Sequence, residues 1–233
     1  MSRDGARRSY DATSRRKRAE DERRATRTRV VQAAADLFVR NGYTGTTMAD
    51  IAREAGVAMQ SVYSAGRSKA DLLQAAVQRA VAGDDAEVLV HQRPAFAAVA
   101  DEPDPVRQIH LLADLACDIH RRSGPIQTAF RQAAAVEEAV AESLADEHRH
   151  RLETFGAIIR MLPADRLKHS PEECAETAWA VASAEVFLLL RTVRGWSWDE
   201  IREWLRRTLV DVLLDPSVPR RSGTSVNADG DQV

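Results

Sequence analysis

Residues 47–69, TMADIAREAGVAMQSVYSAGRSK, decide the fold. Thr47 and Asp50 stand three apart in the order of a capping box, so a helix starts here. Ile51, Ala52 and Ala55 form its inner face, and Gly56 supplies the backbone freedom to end it. A second short helix covers about 58–65, with Gly66 at its end. Val57 and Val62 are apolar contacts beneath that helix, which leaves Met59, Gln60, Ser61 and Tyr63 for its outer side. Small Ala52 lets the two helices approach. Two helices joined by a tight glycine-containing turn form a helix-turn-helix.

The outer side suits a nucleic acid. Such a helix enters a major groove by its N-terminal residues. Gln60 can pair with an adenine edge and Met59 can touch a thymine methyl group. Tyr63 suits a phosphate through its hydroxyl and Lys69 through its charge. Thr47, at a helix N-terminus, suits a phosphate through its hydroxyl and backbone N–H. A plain bundle whose polar face meets water explains the spacing less well than a duplex does.

Outward from this stretch the pattern stays helical. Val30, Val31, Ala34, Leu37 and Phe38 make one stripe, which Asn41-Gly42 stops. Ser68 and Asp71 form another capping box ahead of Leu72, Leu73, Ala76, Val77 and Ala80. Residues 26–82 therefore read as four helices with short joints. Before them, residues 1–25 are Arg-rich and nearly without large apolar side chains, so they read as a disordered basic arm or a frayed helix. Whether that arm touches phosphates stays open. Residues 1–69 hold 15 Lys and Arg against 8 Asp and Glu, a net +7, while the remainder carries −9. A basic head on an acidic body points to a nucleic-acid partner for the head alone.

The body continues as helix. One helix is expected near 84–98. A second starts at Asp104-Pro105 and runs to Ser123-Gly124-Pro125, which opens a third reaching about residue 162. Ser170-Pro171-Glu172-Glu173 starts a fourth, to about residue 194. Ser197 and Glu200 cap the last, to about residue 214, and 216–233 read as a disordered tail. No strand pattern or repeat is visible. Aromatic residues make up only 5% while hydrophobic residues make up 44%, a balance that favours a helical core over sheets. No run reaches membrane-spanning length without charges, and no secretory signal is expected. Cys117 and Cys174 lack a C-x-x-C spacing and read as free thiols in a reducing cytoplasm.

The stretches AETAWAVASAEVFLLL and IREWLRRTLVDVLL are too apolar for helices with one face in water. They are expected to pack on a second copy, making a homodimer. For a small molecule, Cys117, Phe130, Phe155, Trp179 and Glu185 are the candidate contacts. Glu185 sits in an apolar run and needs a partner such as Arg131 or Arg191. His110, Asp114 and Asp118 recur every four residues, with His120 following, but read as a solvated face, so no metal or cofactor is expected. No G-x-S-x-G, H-E-x-x-H or phosphate-cradling glycine loop supports an enzyme.

Residues 29–73, RVVQAAADLFVRNGYTGTTMADIAREAGVAMQSVYSAGRSKADLL, resemble the N-terminal domain of TetR-type (tetracycline-repressor-like) transcriptional regulators. The resemblance implies an all-α homodimeric repressor: a three-helix helix-turn-helix DNA-binding domain, then a variable helical body for ligand binding and dimerisation. It places DNA contacts on Thr47, Ala58, Met59, Gln60, Ser61, Tyr63 and Lys69. Three positions depart from the family pattern. Ala58 stands where a capping Ser is usual, Gln60 where a small residue is common, and Gly66 where a Phe usually anchors the helix junction. The chain thus divides into a basic arm (1–25), a DNA-binding domain (26–70), an effector and dimerisation domain (71–215) and a tail (216–233). The reading is a cytoplasmic repressor released from a palindromic double-stranded operator by an unidentified small-molecule effector. The alternatives are an architectural DNA-binding protein without effector, or an all-α enzyme.

Overall fold

The computed structural model describes residues 3–83 and 94–217. The first part of the helix expected near 84–98, and the tail from 218 on, lie outside them. The described chain is helical: α1 (Arg3–Asn41), α2 (Met48–Ala55), α3 (Met59–Ala65), α4 (Lys69–Ala82), α5 (Pro94–Asp101), α6 (Pro105–Ala134), α7 (Glu138–Ile159), α8 (Pro171–Val181), α9 (Ala184–Leu188) and α10 (Trp198–Leu213). The β structure among the described residues is an isolated antiparallel bridge between Leu167 and Leu214. No helix among them is long and apolar enough to cross a membrane.

The capping boxes read from the sequence form as expected. Thr47 with Asp50, Ser68 with Asp71, Ser170 with Glu173 and Ser197 with Glu200 each close reciprocally. Each satisfies two backbone N–H groups that a helix start would leave unpaired. The segment before Thr26, read as a disordered arm or a frayed helix, is helical from Arg3. That segment has no proline and is rich in Arg and Ala. Once the buried turns at Val30–Phe38 are in place, each added residue gains a hydrogen bond without a new nucleation step.

Two apolar clusters organise the molecule. The first joins α1 to α4 through Val30, Phe38, Ile51, Val62, Leu72 and Leu73, and it also takes in Ile126, Ala129, Phe130 and Ala133 of α6 and Val140 of α7. The second gathers Ile109, Leu112 and Cys117 of α6, Phe155, Ile158 and Ile159 of α7, Ala178 of α8, Phe187 of α9 and Leu205, Leu209 and Leu213 of α10. The cores therefore do not divide at residue 70. Helix α6 is buried in both and so joins head to body alongside α4.

That role explains why α6 ignores the break expected at Ser123-Gly124-Pro125. Pro125 removes one ladder hydrogen bond. Nearby hydroxyls occupy carbonyls around it: Ser123 Oγ donates to Ile119 O at 2.8 Å and Thr128 Oγ1 to Gly124 O at 3.0 Å. Continuing the helix buries Phe130 and Ile126 in the head, which outweighs the missing bond. The chain turns instead after Ala134, where the Ala133 carbonyl accepts from Val136 N and Glu137 N.

The helix expected from 171 to about 194 is also interrupted. α8 ends at Val181, Ser183 caps α9 by accepting from Val186 N, and Leu189–Val193 forms a π-helical turn. The break frees the Ala182 carbonyl, which accepts from His120 Nε2 and from Arg151 Nη1.

Candidate functional site

The head presents α3 on a rigid platform. Gly56 ends α2 at φ 62°, left-handed backbone that favours glycine, and its N–H reaches back to the Ala52 and Arg53 carbonyls. Val62 is fully buried beneath α3, whereas Ala58, Met59, Gln60, Tyr63 and Ser64 are exposed and Ser61 is half-exposed. The alternation read from the sequence is the one the fold realises. Arg40 of α1 pairs with Glu54 of α2 at 2.7 Å, which ties the two supporting helices. Gly66 extends the chain into α4, and its Cα faces Leu72: a Cβ there would lie 2.7 Å from Leu72 Cδ2. Leu72, fully buried, thus fills the joint where the family pattern carries a Phe.

Two of the proposed phosphate contacts are already engaged. The Thr47 hydroxyl donates to Asp50 Oδ2 at 2.6 Å and accepts from Asp50 N, although Thr47 itself is exposed. The hydrogen bonds from Thr47, with help from Arg53, hold the Asp50 carboxyl below its usual range. Lys69 turns inward: its Nζ donates to the Tyr43 carbonyl at 2.9 Å and sits 4.1 Å from the centre of the Tyr43 ring. Tyr43 in turn donates its hydroxyl to Glu137 Oε2 at 2.5 Å, which joins the head to the start of α7. Burial, then the Glu137 bond, raises the phenol pKa. Lys69 therefore braces the head–body joint with its ammonium.

The groove beside α3 holds cations that the sequence reading passed over. Arg27 of α1, Tyr63, Arg67, Gln74 and Gln78 line an open groove of about 740 Å³. Arg67 is exposed in the α3–α4 joint, two residues before Lys69. Its position just after the reading helix was the available signal. Arg27 lies on α1 and reaches this groove only through the tertiary fold.

In the body, the candidate ligand contacts scatter. Cys117 and Phe155 lie in the second cluster, and burial pushes the Cys117 thiol up to about 11. Phe130 lies in the head's cluster, away from the others. Trp179 is partly buried against the second cluster, and Glu185 pairs with Arg131 at 3.6 Å. Burial opposes the charged form of Glu185, but its own backbone amide and Arg131, His148 and Arg151 outweigh that, so its pKa is lowered. Asp114 and Asp118 pair with Arg206 and Arg202 of α10. Among the described residues no group of three or more His, Cys, Asp or Glu is arranged to hold a metal.

His120, which the sequence placed on a solvated face, is buried and donates toward Ala182 O at 3.0 Å. Burial lowers its pKa from 6.5 to about 4. The unfolded chain takes up a proton near pH 6.5 that the folded chain refuses until about pH 4. The stability it contributes is therefore complete above pH 6.5 and is lost as pH falls toward 4. The loss should reach about 3 kcal/mol. Denaturant unfolding at pH 7, 5.5 and 4.5 measures it. His120→Gln, which keeps an N–H for Ala182, should flatten the decline; an equal slope in both proteins would assign the pH dependence elsewhere.

Residues 30–76 match the family model of bacterial regulatory proteins, tetR family. Over 59 residues the chain is 39% identical to the HTH-type transcriptional regulator TtgR of Pseudomonas putida, and equally to the probable HTH-type transcriptional regulator ArpR of the same species. Those matches span 25% of this chain and 28% of each relative. The fold is similar to that of NalD, the secondary repressor of the MexAB-OprM multidrug efflux pump in Pseudomonas aeruginosa. That likeness has a TM-score of 0.63 at 21% identity, over 83% of this chain and 98% of that one. It is also similar to a putative transcriptional regulator from Saccharomonospora viridis in complex with choline, with a TM-score of 0.61 at 20% identity, over 81% and 97% of the two chains. Residues 30–76 thus carry the helix-turn-helix of the tetR family of bacterial regulatory proteins, and the body shares the fold of these solved structures.

Proposed function

We propose that this protein is a DNA-binding transcriptional regulator, a repressor that grips a palindromic operator as a homodimer and is released by a small molecule bound in its body. The observation that carries this reading is α3: seven residues that bury Val62 and expose Met59, Gln60 and Tyr63 beside a groove holding Arg27 and Arg67. Gln60 and Met59 read base edges, and Tyr63, Arg67 and the N-terminus of α2 at Thr47 hold phosphates. A dimer brings two such helices to half-sites about 34–36 Å apart.

The packing of α6 supports a route for release. α6 is buried in the head through Phe130 and in the body through Cys117. Arg122 of α6 also donates to the Ala80 and Val81 carbonyls at the end of α4, at 2.9 and 2.6 Å. A ligand that holds α6 and α4 in another pose re-spaces the two reading helices. It must bind that pose better than the DNA-binding one, since equal affinity shifts nothing.

The experiment is selection of bound duplexes from a random pool, repeated with substituted protein. Gln60→Ala should relax the preference at one base pair per half-site, by about 1–3 kcal/mol. Arg67→Ala should weaken all duplexes alike and lower the salt slope by about one unit. If Arg67→Ala instead alters the preferred bases, or a purified dimer shows no preference for any duplex over random DNA, the assignment fails.

A further inference from the structure

Four buried polar atoms near the α8–α9 break have no hydrogen-bond partner among the described residues: Nη2 of Arg151, Nε1 of Trp179, Nδ1 of His120 and Nδ1 of His148, whose ring meets Trp179 edge-on with centres 5.8 Å apart. Such atoms are uncommon in a folded interior, and several in one place need a partner such as a water, an ion or a ligand group. Their placement is shared. The Ala182 carbonyl accepts from His120 Nε2 and from Arg151 Nη1, each at 3.0 Å, so these two nitrogens lie no more than about 6 Å apart. The Arg151 guanidinium lies 5.0 Å from the centre of the Trp179 ring, and Phe187 packs on His120 at 4.2 Å between ring centres. His120 is 8% exposed.

The chemistry of three of these open valences is fixed, while His148 Nδ1 donates or accepts according to its tautomer. A carbonyl only accepts, so His120 keeps its proton on Nε2, and Nδ1 is left as an acceptor. Arg151 Nη2 and Trp179 Nε1 can only donate. No carboxylate of the described residues lies within ion-pair distance of Arg151; Glu147 and Glu185 act on it from farther away, and Glu185 is drawn to Arg131. The point therefore offers two donors and one mostly buried positive charge beside aromatic rings. An anionic acceptor satisfies it, whereas a cation would meet Arg151 unscreened.

We propose that Arg151 and Trp179 recognise the carboxylate of a small ring-bearing organic acid, the effector in the reading above. One carboxylate oxygen accepts from Arg151 Nη2 and another from Trp179 Nε1, in the charge-assisted geometry that guanidinium groups favour. The ring of the acid packs with Trp179 and Phe187. His120 Nδ1 accepts from a hydroxyl or a water carried in with the acid. The inference rests on the regulatory reading only for the consequence of binding, and its chemistry stands on the side chains alone.

The test uses full-length protein and calorimetric titration with benzoate, 1-naphthoate, benzamide and benzylamine. The acids should bind at least about tenfold more tightly than the amide, and the amine should not bind. Arg151→Gln should weaken the acids at least about tenfold, and Trp179→Phe should weaken them by a smaller factor with the ring retained. Arg151→Lys, which keeps the charge but has no second nitrogen fixed on the Ala182 carbonyl to aim the first, should fall between Arg151→Gln and the parent. Thermal melts identify folded variants; if Arg151→Gln does not fold, Trp179→Phe and the ligand series decide. Amide or amine binding equal to the acids overturns the proposal. So does no acid binding up to about 10 mM, or a folded Trp179→Phe with unchanged affinity. Operator affinity measured on the same samples separates the two readings. Arg151-dependent acid binding that leaves DNA affinity unchanged supports the ligand assignment and ends the effector reading.

Discussion

Phe130→Ala is expected to destabilise the protein by about 3–5 kcal/mol, the range for emptying a large aromatic site in a packed core. Phe130 is 2% exposed and shares its cluster with Phe38, Leu72 and Leu73, each fully or almost fully buried. Those neighbours belong to α1 and α4, whereas Phe130 belongs to α6. The cavity would therefore open in the head's core, at the point where α6 enters it from the body. Two readouts should move together. The melting temperature should fall by about 10 °C, and the head should unfold separately from the body, giving two denaturant transitions where the parent gives one. A single transition with a loss below about 1 kcal/mol would mean that the joint collapses around the gap, and α6 would lose its role as the shared element.

The second large effect concerns assembly. Leu189→Glu is expected to give a folded monomer whose operator affinity falls at least about a thousandfold, toward its non-specific level. Leu188, Leu189 and Val193 are 37%, 55% and 72% exposed and follow one another through the end of α9 and the π-helical turn. In one protomer a glutamate at 189 meets water, so the fold survives. In a dimer that buries this patch the same carboxylate loses its hydration without a partner. With one reading helix per particle, half of the operator contacts disappear. Light scattering gives the mass and gel shift gives the affinity. A dimeric mass with undiminished operator binding would place the interface elsewhere.

The difference between Leu189 and Phe130 shows what the sequence alone conveys. Both are large apolar residues in stretches that read as helix. Only the fold tells that one is covered by its own chain and the other is half bare. Periodicity reports that a face is apolar, not what covers it.

The helix-turn-helix was legible because its signals are local. Thr47 with Asp50, Gly56 and Ser68 with Asp71 act within one turn of themselves, through hydrogen bonds and backbone angles that no distant residue needs to supply. The exposed face of α3 followed from the same short-range alternation. The all-α class and the ends of α2, α3, α4 and α10 are of this kind.

Tertiary structure decided the rest, because competing local terms were close in size. Pro125 stops a helix in isolation, yet burial of Ile126 and Phe130 carries α6 through it. Ala182 and Ser183 sit in a run that favours helix, yet the chain breaks there and gives the carbonyl to His120 and Arg151 from α6 and α7. Lys69 carries the right charge for a phosphate, but Tyr43, 26 residues away, holds its ammonium. His120, Arg151 and Trp179 are far apart in sequence and share no motif. Only packing α6, α7 and α8 together turns three ordinary side chains into one set of unpaired donors and acceptors.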